Sequence, residues 1–151
     1  MFSLYLTPAA LGYLTQLILS TLISGYLVVL VYRQPSPRPA HLRWLTAFFL
    51  GLTAFIGTLF LEVALLPTPR LYAVSLQIPL LAVTWICLIQ FAYHYPDLPV
   101  TLRREARSSL FIAGLYALWE SGYAVYRFIR LRAGVVEFRI DWTDFVLLLF
   151  L

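Results

Sequence analysis

The sequence predicts an all-α protein, a polytopic transmembrane helical bundle with four full spans and the start of a fifth. Three observations carry that prediction. Of 151 residues, 62% are hydrophobic. Only 12% are charged, against about 25% in a soluble domain. The apolar residues fall in long runs separated by Pro- and Arg-rich stretches, and a bilayer core of about 30 Å is crossed by roughly 20 apolar residues of helix. These features exclude an ordinary cytosolic domain, a disordered tail and a nucleic-acid-binding module. Cys87 is the only cysteine, so a disulfide scaffold is excluded as well. Residues 1–151 read as a single transmembrane domain, without an internal repeat or a low-complexity tract.

The first helix is expected over about 8–32. No charged side chain precedes Arg33, and Pro8 suits a first helical turn, where its missing N–H costs nothing. A cleaved signal peptide does not fit, because nothing basic precedes the apolar core and the core is too long. Three prolines between Arg33 and Arg43 cannot continue a helix. The second helix is expected over about 44–66, ended by Pro67 and Pro69. The third is expected over about 71–95, stopped by Pro96, with Pro79 in its second turn as a place for a kink. The fourth is expected over about 108–132, interrupted by Glu120 and stopped at Gly134. Trp142 opens a fifth apolar run, 142–151, whose ten residues rise only about 15 Å. The chain is therefore expected to be a piece of a longer protein. Between the last two runs, Val136, Phe138 and Ile140 alternate with Glu137, Arg139 and Asp141, the period of a short extended segment.

All eleven basic residues are arginines, and the net charge is +4. They cluster at segment ends, where arginine reaches the headgroups and sets orientation. Arg33, Arg38 and Arg43 follow the first helix, and Arg103, Arg104 and Arg107 follow the third, whereas only Arg70 follows the second. The N-terminus is therefore expected outside, with the first and third loops cytoplasmic. Arg127, Arg130, Arg132 and Arg139 break this alternation around the fourth loop.

No catalytic motif is present: no phosphate-binding glycine loop, no nucleophile with a base, no metal-ligand cluster. His41 lies in the Pro-rich loop and His94 at a helix end, neither with a spaced partner. Trp44, Tyr93, Tyr95 and Trp142 read as interfacial aromatics. The absence of lysine excludes covalent retinal on residues 1–151, and no cofactor is expected. Glu120 is the most informative residue, since a charged side chain at the centre of a spanning helix costs at least ~2.5–3.5 kcal/mol. Glu62 lies near the end of the second helix. Gln16 on the first helix and Gln77 on the third fall at a similar depth. Tyr116, Glu120, Tyr123 and Arg127 share one face of the fourth helix by 3–4 spacing, and Arg127 could neutralise Glu120 or Glu62. Two readings stand for Gln16, Glu62, Gln77, Glu120, Tyr123 and Arg127: a polar ligand pocket in the outer half of the membrane, or hydrogen bonds that hold the helices together. Gly12, Gln16, Ser20 and Ser24, spaced by four, mark a face on which another helix could approach closely.

The order of these features resembles the N-terminal seven-transmembrane sensor region of bacterial signalling proteins of the histidine kinase type. The resemblance covers 1 to about 107. It rests on the outward-starting first helix, the basic loop after it, and the phrase Phe91-Ala-Tyr-His-Tyr-Pro-Asp97 before Arg103-Arg-Glu-Ala-Arg107. It implies a multi-pass module of the bacterial plasma membrane that detects a small molecule or a membrane state. The output would come from a separate cytoplasmic domain of a two-component or related system, and the chain as given would have no catalytic activity. The expected partners are the lipid bilayer, a small-molecule ligand, and other transmembrane helices or a second copy in a homodimer; no nucleic acid is expected. An accessory or scaffold subunit of a larger membrane complex is the alternative.

Overall fold

The computed structural model describes residues 7–34, 39–65, 67–95 and 100–133. Four long helices account for nearly all of them. They are α1 (Pro8–Arg33), α2 (Ala40–Ala64), α3 (Pro67–His94) and α4 (Arg103–Arg132), with a 3-10 turn at Val100–Leu102 leading into α4. The all-α class stands. The expected fifth run at 142–151 and the alternating segment at 136–141 lie outside the described residues.

The start of α1 is built as its sequence dictates. The Thr7 hydroxyl accepts from the Ala10 N–H at 3.1 Å, and Pro8 takes the first helical position, where no intrahelical bond is lost. The starts of the other helices differ from expectation. α2 begins at Ala40 rather than Trp44, directly after Pro39. Proline disfavours helix at the residue before it, not after it. For the same reason Pro67 and Pro69 open α3 instead of closing α2, which ends earlier, at Ala64. The first N–H groups of a helix have no intrahelical acceptor, so prolines there cost little. α4 begins at Arg103 rather than Ser108. Arg and Glu are good helix formers, and Glu105 sits in the first turn, where a negative charge meets the positive end of the helix dipole. α3 runs through Pro79 as one helix.

α1, α2 and the stretch Tyr72–His94 of α3 are long and apolar enough to cross a membrane. Most of their residues are not buried inside the molecule: only 17%, 11% and 33% of the three most apolar stretches is. An exposed apolar surface of that size needs a hydrocarbon solvent, so the chain is membrane-embedded. Of the four full spans expected, three helices among the described residues meet this condition. α4 is long enough at 30 residues, but Glu120, the serines Ser108, Ser109 and Ser121, and the glycines Gly114 and Gly122 dilute its apolar stretch.

Each helix packs against the next in sequence, most extensively α2 against α3, and α1 and α4 stand at the two ends of the row. The contacts run antiparallel. Ser24 meets Thr53 with their hydroxyls 2.8 Å apart, and Leu17 lies beside Gly57. Gln77 meets Glu62, and Thr84 meets Gly51. Tyr72 stacks on Phe128 with ring centroids 5.1 Å apart, and Gln90 meets Ala106. One end of the bundle therefore holds Thr7, Leu65 and Arg132, and the other holds Arg33, Ala40, His94 and Arg103.

Many hydroxyls are satisfied within their own helices. Thr15, Thr21, Thr46, Thr53 and Thr84 donate to the carbonyl four residues back, and Ser20 and Thr58 to the one three back. In hydrocarbon, where no water can serve, this lets a polar residue sit in a span without a partner on another helix. α2 and α3 approach closely at Gly51, where an added Cβ would lie 2.6 Å from the Thr84 hydroxyl oxygen.

Candidate functional site

A side-chain hydrogen bond crosses the α2–α3 seam. Gln77 Nε2 donates to Glu62 Oε2 at 2.7 Å. It joins a carboxylate near the last turn of α2 to an amide in the third turn of α3.

Glu120 lies at the next seam. It is 2% exposed, and the helix that α4 packs against is α3. The reason is the spacing of α4. Ala106, Ala117, Glu120 and Ala124 are its buried residues, and they fall on one face by 3–4 spacing. The three alanines let α4 come close to α3, and that approach encloses the longer Glu120 side chain. The opposite face of α4 carries exposed Phe111, Leu115, Leu118 and Trp119.

The register fixes the depth of Glu120. Tyr72 pairs with Phe128 toward one end of the α3–α4 seam and Gln90 with Ala106 toward the other. Between these anchors Glu120 comes level with Pro79, which is buried. Pro79 brings no N–H to the Ser75 carbonyl one turn back. The middle of the seam thus holds a carboxyl beside an altered stretch of backbone.

Tyr123 and Arg127 continue the same side of α4. The Arg127 guanidinium lies over the Tyr123 ring, 4.4 Å from its centroid, and Arg130 repeats the arrangement over Tyr126 at 5.5 Å. Such pairs keep the charge of an arginine close to an aromatic plane. The Arg127 side chain is half-buried.

Gln16 is placed differently. Register with α2, set by Leu17 beside Gly57, puts it at the depth of the Glu62–Gln77 pair, but its side chain is exposed. The face of α1 turned inward holds Ala10, Ser20, Ser24 and Leu27. Steps of four residues overshoot a helical turn by about 40° each, so Gly12 and Gln16 rotate off the face that Ser20 and Ser24 occupy. Of the four residues spaced by four, only the last two are buried. The structure therefore joins Glu62 to Gln77, places Glu120, Tyr123 and Arg127 along α4, and leaves Gln16 on the outer surface of α1.

Sequence reasoning did not find Gln90. It is 2% exposed. Its Nε2 donates to the Ala106 carbonyl at 3.0 Å and to the Ser109 hydroxyl at 3.2 Å, so it clamps α3 to α4 near the start of α4. The signal was present as one amide in an otherwise apolar run from Trp85 to Ala92. Among the described residues, no three His, Cys, Asp or Glu side chains come together as a metal would need.

No family model, no curated protein and no solved structure matches the chain.

Proposed function

We propose that the chain is the membrane-embedded sensory module of a signalling protein, in which the packing of α4 against α3 carries the signal. The observation behind this reading is Glu120, a carboxyl 2% exposed in the seam of α3 and α4. Burying an ionisable group in a spanning bundle is costly and is characteristic of functional positions. The protonation or ligation state of such a group changes which helix packing is favoured. α4 is the element free to respond, because it stands at the end of the row and packs chiefly against α3.

In this reading α4 is the fourth crossing. Between Arg107 and Arg127 the only charged residue is Glu120, and that stretch rises about 30 Å, the thickness of a bilayer core. The orientation proposed is the one the arginine count favours, with the N-terminus outside a bacterial plasma membrane. The Glu62–Gln77 pair and Glu120 then lie in the outer half, where they would meet a small molecule or respond to the state of the lipid. The output would be a cytoplasmic domain of histidine kinase or related type, and a second copy of the chain is the natural partner. Signalling requires two packings that differ in affinity for the stimulus.

Spin labels at Leu76 and Leu118, both exposed, report the α3–α4 separation in lipid nanodiscs by pulsed dipolar spectroscopy. The expected result is two distance populations whose ratio changes with pH or lipid thickness, and a Glu120→Gln chain that holds one population under all conditions. A single distance insensitive to every condition overturns the reading. So does recovery of the chain from native membranes only in fixed stoichiometry with a larger complex, the behaviour of an accessory subunit.

A further inference from the structure

A cavity of about 310 Å³ opens at the Arg33 end of the bundle, where α2, α3 and α4 meet. Trp44 of α2 and Gln90 and His94 of α3 form one side, and Arg103, Arg107 and Leu110 of α4 form the other. Among the described residues, no acidic side chain lines it. The one acid in the first turn of α4, Glu105, accepts the Tyr93 hydroxyl at 2.9 Å.

The polar groups around this cavity are held in place from behind. His94 Nδ1 lies 2.7 Å from the Gln90 carbonyl oxygen. A carbonyl only accepts, so Nδ1 carries the hydrogen and Nε2 remains for another partner. Gln90 in turn is fixed to Ala106 and Ser109, and the Trp44 and His94 rings lie against each other at 6.3 Å. Arg103 and Arg107 are one helical turn apart on α4 and therefore share a face; both are exposed.

We propose that this cavity binds a phosphate group, with Arg103 and Arg107 as its principal ligands and the Trp44 indole N–H as a further donor. Guanidinium groups fit phosphate oxygens two at a time. The cavity sits where the apolar lengths of α2 and α3 end, the level at which a bilayer holds its own phosphates. Exposed Leu110 lies one turn beyond Arg107 along α4, on the way into hydrocarbon, as an acyl chain attached to that phosphate would require. The same chemistry could be supplied by a free phosphomonoester in the aqueous phase, and the site stands independently of any sensory role for Glu120.

The test uses the full chain with Trp85→Phe, Trp119→Phe and Trp142→Phe, so that Trp44 alone fluoresces. It is reconstituted in phosphatidylcholine containing brominated phosphatidylglycerol or, separately, brominated phosphatidylcholine. Stronger quenching of Trp44 by the phosphatidylglycerol at equal mole fraction is expected. An arginine near an anionic surface contributes a factor of about fivefold to binding, so Arg103→Gln with Arg107→Gln should remove the preference. Arg103→Lys with Arg107→Lys, which keeps the charge and loses the fork, should keep part of it. Should inorganic phosphate or glycerol phosphate shift Trp44 emission in pure phosphatidylcholine, with the same dependence on the two arginines, the site is supported and its source is the aqueous phase. Arg33 and Arg43 lie at the same end but do not line the cavity. If Arg33→Gln with Arg43→Gln abolishes the preference as fully as the lining pair does, the effect is diffuse charge and the proposal is overturned. Equal quenching by both lipids together with no response to soluble phosphate overturns it as well. Thermal unfolding of each variant in the same nanodiscs identifies any that fails to fold, and Arg107→Gln alone then serves as the substitute variant, with part of the preference lost.

Discussion

Glu62 and Gln77 show what a polar side chain needs in a helix bundle surrounded by hydrocarbon. Their 2.7 Å bond gives each a partner that lipid cannot supply. Removing one member leaves the other with a lost hydrogen bond, whereas removing both leaves apolar groups that pack. Gln77→Leu is accordingly expected to destabilise the bundle by about 1 kcal/mol, and adding Glu62→Leu to recover most of that loss. Reversible unfolding in mixed detergent micelles measures both. A double variant less stable than Gln77→Leu alone would show that the pair is not the main source of the effect. Glu62 and Gln77 were each legible in the sequence as polar residues at similar depth. Their pairing was not, because depth along a helix follows from counting residues while the facing partner depends on how two helices are rotated against each other. Gln90 was missed for the same reason: its clamp on Ala106 and Ser109 is made across a seam that only packing defines.

At the scale of the helices, the spacing of small residues decides how closely neighbours lie. Gly51 is the one described glycine whose missing side chain is required, since a Cβ there would meet Thr84. Gly12, Gly25, Gly114 and Gly122 have open space around the same position. Gly51→Ala should push α2 and α3 apart and cost about 1–3 kcal/mol, as overpacking does. Gly122→Ala should be neutral or mildly stabilising, because it adds helix propensity without a clash. The difference between the two unfolding free energies checks the seam directly, and equal values would mean that α2 and α3 do not approach at Gly51. The prolines teach a related lesson. Pro39, Pro67 and Pro69 were visible as helix breakers, but a breaker ends the helix before it and can begin the one after it. Only the backbone hydrogen bonds decide which helix a proline belongs to.

For the whole molecule, the order of packing is the observation to test. α3 and α4 are neighbours, held at Tyr72 and Phe128 and at Gln90 and Ala106, while α1 and α4 stand at opposite ends of the row. In a Cys87→Ala background, cysteines at 72 and 128 should cross-link readily on mild oxidation in membranes. Cysteines at Leu19 of α1 and Leu118 of α4, both on exposed surfaces, should not cross-link within one chain. Cross-linking of the second pair within a single chain would mean that the row closes into a ring. Cross-linking between chains would reveal a dimer through these faces.

Composition alone determined that the chain belongs in a bilayer, because no arrangement of so many apolar and so few charged residues can hide its surface from water. The length of the apolar runs determined where helices lie, to within a few residues at ends not marked by proline. It also singled out Glu120 as the costly residue of α4. Tertiary structure decided the rest: that Glu120 is enclosed by the approach of Ala106, Ala117 and Ala124 to α3, that Glu62 answers Gln77, and that Gln16 faces outward. It also gathered Trp44, His94, Arg103 and Arg107 around one cavity. Hydrophobicity acts on a single helix and can be read along it, whereas the rotation of each helix about its own axis is settled only by the helices it touches.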